Sequence, residues 1–206
     1  MKTLVVATHN RGKVKEIEDI LSFMGLEILS LQDFDNVPEI VEDGSTFREN
    51  ARKKAEIIAR FSGEVTLADD SGLEVDALGG RPGVFSARFA GENADDVANN
   101  IKLLKELRGV PLFNRTARFC CAVAIATPSG ETEVVEGYCS GLIAEKPRGA
   151  GGFGYDPLFI VPAYDKTFAE LPLEVKNEIS HRSKALARAT IILEKILRRS
   201  PGQEAL

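Results

Sequence analysis

Residues 3–31 read TLVVATHNRGKVKEIEDILSFMGLEILSL, and this run indicates the fold class. The segment 3–7 is a short apolar run of the kind that forms a buried strand. Apolar residues then recur at helical spacing and a glycine follows them, which predicts an amphipathic helix over 13–24. A second strand is predicted at 27–31. The chain therefore opens with a strand, a loop, a helix and a strand.

The rest of the chain continues this alternation. A capping-box spacing that begins at Thr46 predicts a second helix to about residue 61. Further predicted elements are strands at 65–68, 118–127, 133–144 and 158–161, a third helix defined by Val97, Ile101, Leu104 and Leu107, and a long helix that begins after Ser180 and ends before Pro201. This order predicts a single α/β domain over 1–206, with a mixed twisted sheet flanked by helices.

The composition excludes several classes of protein. With 206 residues, 44% of them hydrophobic and 28% charged, the chain can bury a sizeable core and is neither disordered nor fibrous. A net charge of -5 argues against a nucleic-acid partner or an anionic-membrane binder. No apolar run approaches the roughly 20 residues that span a bilayer, so we expect a cytoplasmic protein without a membrane partner.

A loop rich in donors lies between the first strand and the first helix. A helix N-terminus offers unpaired N–H groups and a partial positive charge, so this loop favours phosphate binding. Walker A spacing is absent, and a polar turn with a surface lysine is the competing interpretation. The candidate phosphate-binding residues are Thr8, His9, Asn10, Arg11, Gly12 and Lys13.

Two adjacent acids, Asp69 and Asp70, stand at the predicted end of the strand at 65–68. Paired carboxylates beside a glycine turn can hold Mg²⁺ and orient a water. Adjacent residues of an extended strand point to opposite faces, so we favour Asp70 alone as the base. Glu42 lies in the polar loop before the second helix, within possible reach of the same metal. A simple turn cap is the competing interpretation.

The second helix brings Asn50 and Lys54 to one face, at positions i and i+4. A lysine at the inward edge of this helix is a candidate phosphate ligand. A lysine that extends to solvent is the competing interpretation.

The segment 149–156 is rich in glycine and fits the pattern G-x-G-x-x-G. It precedes a strand, whereas a Rossmann fingerprint requires a helix at that point. Phe153 has few neighbours in this segment, so we interpret its ring as a stacking surface for a flat ligand; a buried anchor for the loop is the alternative.

The segment that leads into the C-terminal helix contains three potential hydrogen-bond donors, Lys176, His181 and Arg182. Hydrogen-bond donors at such a site can pair with the 6-oxo group of hypoxanthine or xanthine. They cannot pair with the 6-amino group of adenine, which is itself a donor. A structural role is the competing interpretation for His181.

Together these clusters resemble the inosine/xanthosine triphosphate pyrophosphatase family, in the family's order, over residues 3–197. The matching motifs are Thr8-x-Asn10-x-x-Lys13, Glu42-x-Gly-x-Thr46-Phe-x-Glu-Asn50, Ala68-Asp-Asp-Ser-Gly72, Gly79-Gly-x-Pro-Gly83-x-x-Ser-Ala-Arg88, Gly152-Phe-Gly-Tyr-Asp-Pro157 and Ser180-His-Arg-Ser183. The resemblance implies an elongated two-lobed fold with the substrate in a central cleft, a homodimer, and Mg²⁺-dependent hydrolysis of ITP, dITP and XTP.

The resemblance also implies a role for each matching residue. Asp70 is the catalytic residue, and Glu42, Asp69 and Asp70 serve the metal. The implied substrate-binding residues are Thr8, His9, Asn10, Arg11, Gly12, Lys13, Lys54, Ser71, Phe153, Gly154, Tyr155, Asp156, Lys176, His181 and Arg182. Three alternatives remain at this point: a non-catalytic purine-nucleotide sensor, a pyrophosphatase for modified pyrimidine nucleotides, and a structural or interaction module, which would leave the polar and glycine-rich loops unexplained.

Overall fold

The computed structural model describes residues 2–198 and confirms the predicted α/β class with a mixed sheet. The seven strands are β1 Thr3–Val6, β2 Glu27–Ser30, β3 Thr66–Val75, β4 Thr116–Ala126, β5 Thr132–Ile143, β6 Phe159–Val161 and β7 Lys166–Thr167. The α-helices are α1 Arg11–Leu21, α2 Phe47–Ser62, α3 Asp96–Glu106, α4 Leu173–Ile179 and α5 His181–Arg198. The strand order in the sheet is β2-β1-β3-β4-β5-β6-β7.

The sheet is mixed because its two ends pair differently. At one end, β1 lies parallel to both β2 and β3. At the other end, β6 is antiparallel to both β5 and β7. The parallel end is the product of the opening strand, helix and strand, since parallel neighbours require a crossover connection.

The chain divides into two compact units. The first contains the described residues within 1–70, 122–136 and 183–206. Apolar side chains from its strands and helices are completely buried; they include Leu4, Val5, Ile17, Leu21, Ala51, Ile58, Leu67, Val123, Ile125, Leu186 and Leu193. The helical spacing in α1, α2 and α5 supplies the helical members of this set, as expected for amphipathic helices that cover a sheet.

The second unit contains residues 71–121 and 137–182. Its core is aromatic: the ring centroids of Phe119, Phe159 and Phe168 lie between 4.6 and 5.8 Å apart. Leu73 and Val75 of β3 also belong to this core. Aromatic rings at these separations gain from edge and offset stacking beyond the area that they bury.

The observed bounds of the first elements follow local capping. The side chain of Asn10 accepts a hydrogen bond from the N–H of Lys13 at 3.1 Å, so α1 begins at Arg11, two residues earlier than predicted. Gly25 adopts a φ of 61° after a short 3-10 turn and ends the segment as predicted.

The prediction that the third strand ends before Asp69 is wrong. The strand β3 continues through the two acids to Val75, because Leu73 and Val75 are buried in the second unit. Both acids therefore lie within a strand rather than in a turn.

The third helix is present as predicted, and of the apolar residues that defined it Leu107 is fully buried and Leu104 packs against the core, but the other two are exposed. Val97 and Ile101 are 64% and 62% exposed, whereas Asn99, Asn100 and Leu103 are buried. The two asparagines form side-chain hydrogen bonds to loop backbone, which an apolar periodicity does not anticipate.

Two short elements, α4 and β7, were not predicted from the sequence. The predicted end of the last helix at Pro201 lies outside the described residues. Within 2–198, no helix is long and apolar enough to cross a membrane.

Candidate functional site

The two adjacent acids of β3 take different partners. Oδ2 of Asp69 lies 3.1 Å from Nζ of Lys13, and Oδ1 of Asp70 lies 3.6 Å from Nζ of Lys54. This separation follows from the strand, in which successive side chains point to opposite faces. Both acids are buried, so each carboxylate is held against an ammonium group away from bulk water.

Lys54 contacts a second carboxylate besides that of Asp70. Its Nζ lies 3.2 Å from Oε2 of Glu42, in the loop before α2, and the lysine itself is only 7% exposed. Burial acts to lower the pKa of Lys54, but the charges of Asp70 and Glu42 outweigh it and leave this pKa raised. Lys54 is therefore a buried cation between two carboxylates.

Asp70 sits in an unusual electrostatic environment. Burial raises the pKa of Asp70 above its ordinary value, although the Lys54 and Lys13 ammonium groups act in the opposite direction. Carboxyl groups with such raised pKa values occur at functional sites more often than elsewhere.

Asn50, which is 1% exposed, fixes the position of Asp70. Its Nδ2 donates to Oδ2 of Asp70 at 3.1 Å, and its Oδ1 accepts from the backbone N–H of Gly44 at 2.8 Å. A side chain at Gly44 would collide with this amide oxygen, which explains why glycine occupies that position. One amide thereby links the loop that carries Glu42 to the strand that carries Asp70.

The predicted phosphate-binding loop lies at the N-terminus of α1. The backbone N–H of Asn10 donates to Oγ1 of Thr8 at 3.2 Å, which shapes the turn. His9, Asn10 and Arg11 are exposed, and Thr8, Gly12 and Lys13 are partly buried. The structure brings this loop to the acids through Lys13, which reaches Asp69.

The remaining predicted residues lie in the second unit, where Asp156 contacts two of them. Oδ2 of Asp156 accepts from Nζ of Lys176 at 2.6 Å and from the backbone N–H of Phe153 at 3.0 Å. Nζ of Lys176 lies 4.8 Å from the centre of the Phe153 ring. The Phe153 ring remains partly exposed beside a buried cation.

Arg182 and His181 reach different neighbours. The guanidinium of Arg182 donates to Oγ of Ser71 at 2.9 Å, and its Cζ lies 5.7 Å from the centre of the Phe153 ring. His181 stacks on Phe119, with centroids 4.7 Å apart and an interplanar angle of 11°. Ser71, Phe153, Lys176 and Arg182 thus form one connected group.

Tyr155 anchors the same segment. Its hydroxyl donates to the carbonyl of Ser86 at 2.8 Å. Burial, together with the charge of Asp96, raises the pKa of this phenol, so the hydroxyl stays protonated and acts as a donor.

Sequence reasoning placed Asn50 on the correct helix face but assigned it no role at the site. The sequence did contain a clue to this role, since Asn50 lies four residues before Lys54 and is the last residue of the family motif that begins at Glu42. Asp96 and Asn100, which contact Gly154, were missed entirely. Nothing local in the sequence connects residues 54 to 58 positions apart.

A known family and its members resemble the chain closely. The sequence model of the Ham1 family matches residues 4–191. A dITP/XTP pyrophosphatase of Desulforamulus reducens is 58% identical over 193 residues, which cover 94% of this chain and 96% of that protein. A dITP/XTP pyrophosphatase of Bacillus subtilis is 54% identical over 194 residues, with 94% and 98% covered.

Solved structures agree with these sequence relatives. The Staphylococcus aureus Ham1 protein matches with a TM-score of 0.84 and 42% identity, over 95% of this chain and 100% of that chain. A HAM1 protein from Coxiella burnetii matches with a TM-score of 0.85 and 41% identity, again over 95% and 100%.

Proposed function

The chain belongs to the Ham1 family, and we propose that it hydrolyses dITP, ITP and XTP to the monophosphate and pyrophosphate, and so removes them from the nucleotide pool. Relatives that carry the name dITP/XTP pyrophosphatase match nearly its whole length. The observation that carries the proposal is the buried Lys54 between the carboxylates of Glu42 and Asp70. A buried cation beside two carboxylates is a setting for hydrolysis of a phosphoanhydride bond, because the cation can stabilise the charge that grows on the phosphate oxygens.

In the proposed reaction, water attacks the α phosphorus, and the bond between this phosphorus and the oxygen that bridges to the β phosphate breaks. Asp70 accepts the proton of the attacking water, and pyrophosphate leaves with the electron pair of the broken P–O bond. The raised pKa of Asp70 brings its carboxylate closer to the basicity that proton transfer requires. Lys13 and Lys54 stabilise the negative charge that grows on the phosphate oxygens.

The residues present fit a magnesium ion. Mg²⁺ typically takes one or two carboxylates and leaves its other positions to phosphates and water. The carboxylates of Glu42 and Asp70 lie 3.2 and 3.6 Å from one cation, the Lys54 ammonium, and supply two oxygen ligands of the kind that Mg²⁺ takes. Among the described residues, no group of three or more His, Cys, Asp or Glu side chains is arranged to hold a metal ion. When bound, Mg²⁺ would neutralise phosphate charge as a Lewis acid. The metal role of Asp69 stays a prediction, and its contact with Lys13 supports a part in holding that lysine.

Recognition of the base is proposed for the second unit. The partly exposed Phe153 ring offers a stacking surface, and Lys176 and Arg182 supply donors around it. Donors preset for a 6-oxo group reject a 6-amino group, because they would remain unpaired against it. His181, stacked on Phe119, completes this proposed set.

We also propose that the protein is a cytoplasmic homodimer. The resemblance to the family supports the dimer, and the location of the nucleotide pool supports the cytoplasm. Sedimentation of the purified chain over a range of concentrations tests the dimer directly.

The experiment that tests the function is pyrophosphate release from ITP, XTP, GTP, ATP and dTTP, with magnesium and with excess chelator. We expect fast release from ITP and XTP with magnesium, and little from the other three or with chelator. Binding of purine nucleotides without release would instead indicate a sensor. Release from dTTP alone would overturn the proposed roles of Lys176, His181 and Arg182.

A further inference from the structure

Helix α3 holds one residue of the glycine-rich loop from both sides. Oδ2 of Asp96 accepts from the backbone N–H of Gly154 at 2.7 Å, and Nδ2 of Asn100 donates to the carbonyl of Gly154 at 2.8 Å. Asp96 and Asn100 stand at i and i+4, so they lie on the same helix face. A single helix therefore fixes both peptide groups of Gly154.

This contact determines the backbone next to Phe153. The N–H of Gly154 belongs to the peptide that follows Phe153, while the N–H of Phe153 itself donates to Asp156. Gly154 has a φ of 61°, a left-handed conformation that favours glycine. With both flanking peptides held, the backbone of Phe153, and with it the direction of its Cα–Cβ bond, is set before any ligand arrives.

A loop with so many glycines needs such a restraint. Four of the six residues in 149–154 are glycine, and glycine loses more backbone conformational entropy on ordering than any other residue. A ligand that had to order the loop would bind more weakly by part of that cost. A loop held in advance avoids it.

Packing alone does not account for Asn100. The residue is 9% exposed, and its Oδ1 is buried with no hydrogen-bond partner among the described residues. Burial of an unpaired amide oxygen is unfavourable, so an apolar residue of similar size would suit a purely structural position better. The amide donor to Gly154 is the feature that an apolar residue lacks.

We propose that Asp96 and Asn100 are positioning residues for the purine base. They hold Gly154 so that the Phe153 ring is preset as the stacking surface. This inference rests on the proposed function, because it takes Phe153 as the surface that receives the base.

The kinetic test uses Asn100→Leu and Asp96→Ala. The reacting phosphates lie at Asp70 in the proposed mechanism, so loosening Phe153 weakens binding of the base rather than the chemical step. We expect each variant to raise KM for ITP about tenfold, the effect of one lost charge-assisted or buried hydrogen bond, with kcat changed less than about twofold.

A spectroscopic test reports on Phe153 itself. The chain contains no tryptophan, so Phe153→Trp introduces a single indole at the proposed stacking surface. Adding Asn100→Leu to this variant should lower the fluorescence anisotropy of the free protein. About tenfold more inosine monophosphate should then be needed for half-maximal quenching.

Asn99→Leu is the matched control on the same helix. The Asn99 side chain accepts from the N–H of Ala90 and donates to the carbonyl of Ala87, and neither hydrogen bond involves Gly154. It should lower the melting temperature without altering KM, anisotropy or quenching.

The outcomes distinguish failure of the proposed hydrolysis from failure of the proposed role of Asp96 and Asn100. If the parent chain releases no pyrophosphate from ITP, the proposed function fails, and the fluorescence titration still decides the inference because it needs binding alone. If the Asn100 and Asp96 variants lower stability but keep the parental KM and anisotropy, the inference is overturned. Asp96 is exposed, so its variant keeps the test decisive even if Asn100→Leu does not fold.

Discussion

Asn50 donates a hydrogen bond from its side-chain amide to Oδ2 of Asp70, at 3.1 Å. The same amide accepts from the backbone of Gly44, two residues after Glu42. The two carboxylates proposed for hydrolysis are therefore tied together by a neutral residue that contacts neither phosphate nor metal in the proposed mechanism. Such a residue acts by orienting its neighbours.

The first prediction concerns this orientation. Asn50→Leu keeps the number and branching of the side-chain heavy atoms but removes both hydrogen bonds, so Asp70 and the loop of Glu42 lose their common support. We expect kcat for ITP to fall by about tenfold to a hundredfold, as is usual when a supporting residue of a reactive carboxylate is lost. Steady-state pyrophosphate release measures the change.

The control for Asn50 is Arg52→Ala, an exposed position on the same helix. It should leave kcat within about twofold of the parent, because exposed substitutions have small effects. A parental kcat for Asn50→Leu, in a correctly folded protein, would show that Asp70 holds its position without the amide.

The second prediction concerns Asp70 itself. Asp70→Asn keeps the shape of the side chain but removes the proton acceptor, so turnover should fall by at least about a hundredfold, the lower range for loss of a general base. Nucleotide binding should persist, because the loop at 8–13 and the second unit are unchanged. Pyrophosphate release and isothermal titration with a nucleotide separate the two properties.

Asp43→Asn provides a charge-matched control for Asp70. Its carboxylate is exposed and pairs with Lys53 at 2.6 Å, so the substitution changes the net charge equally at the surface. It should keep parental turnover. Ordinary turnover by Asp70→Asn, with intact binding, would remove Asp70 from the mechanism.

Much of the fold could be predicted because local signals specify it. The strand, loop, helix and strand at 3–31 were identified from periodicity and glycine, and the bounds differ by one to three residues. The extension of β3 to Val75 was missed, because Asp69 and Asp70 look like a turn unless their partners are known. Those partners, Lys13 and Lys54, lie on other elements and are supplied by the tertiary structure.

The candidate site shows the same division. Motif spacing singled out the acids, lysines and aromatic residue to which the proposed mechanism assigns the chemistry. It did not predict the supporting amides, Asn50 and Asn100, because an asparagine in a helix has the same local signature whether it faces solvent or holds a loop. For the same reason, the apolar spacing that predicted α3 did not show that Asn99 and Asn100 are buried.

The third prediction concerns stability in the second unit. Arg115 is buried, and its guanidinium donates to the carbonyls of Leu107, Val110 and Ala144 at 2.9–3.1 Å. Arg115→Ala leaves these acceptors without their charged donor and should lower the free energy of unfolding by about 3 kcal/mol. Urea denaturation followed by circular dichroism measures it.

Arg108→Ala is the control for Arg115, since Arg108 is an exposed arginine seven residues earlier. It should change the free energy of unfolding by less than about 0.5 kcal/mol. An equal effect of the two substitutions would mean that the loss of positive charge, rather than the three hydrogen bonds, determines the result.

The fourth prediction concerns Cys120 and pH. Burial, helped by the nearby carboxylate of Glu74, raises the pKa of the Cys120 thiol to about 12. An unfolded thiol ionises near pH 8.5, so the folded state holds its proton longer and stability should decline as pH rises from about 8.5 toward 12.

At pH 8, iodoacetamide should label Cys120 far more slowly in the native protein than in urea, because the thiolate is the nucleophile. Mass spectrometry of the labelled peptide measures both rates. Glu74→Gln should accelerate native labelling only modestly, because burial is the larger cause; equal rates in the native and unfolded protein would contradict a raised pKa.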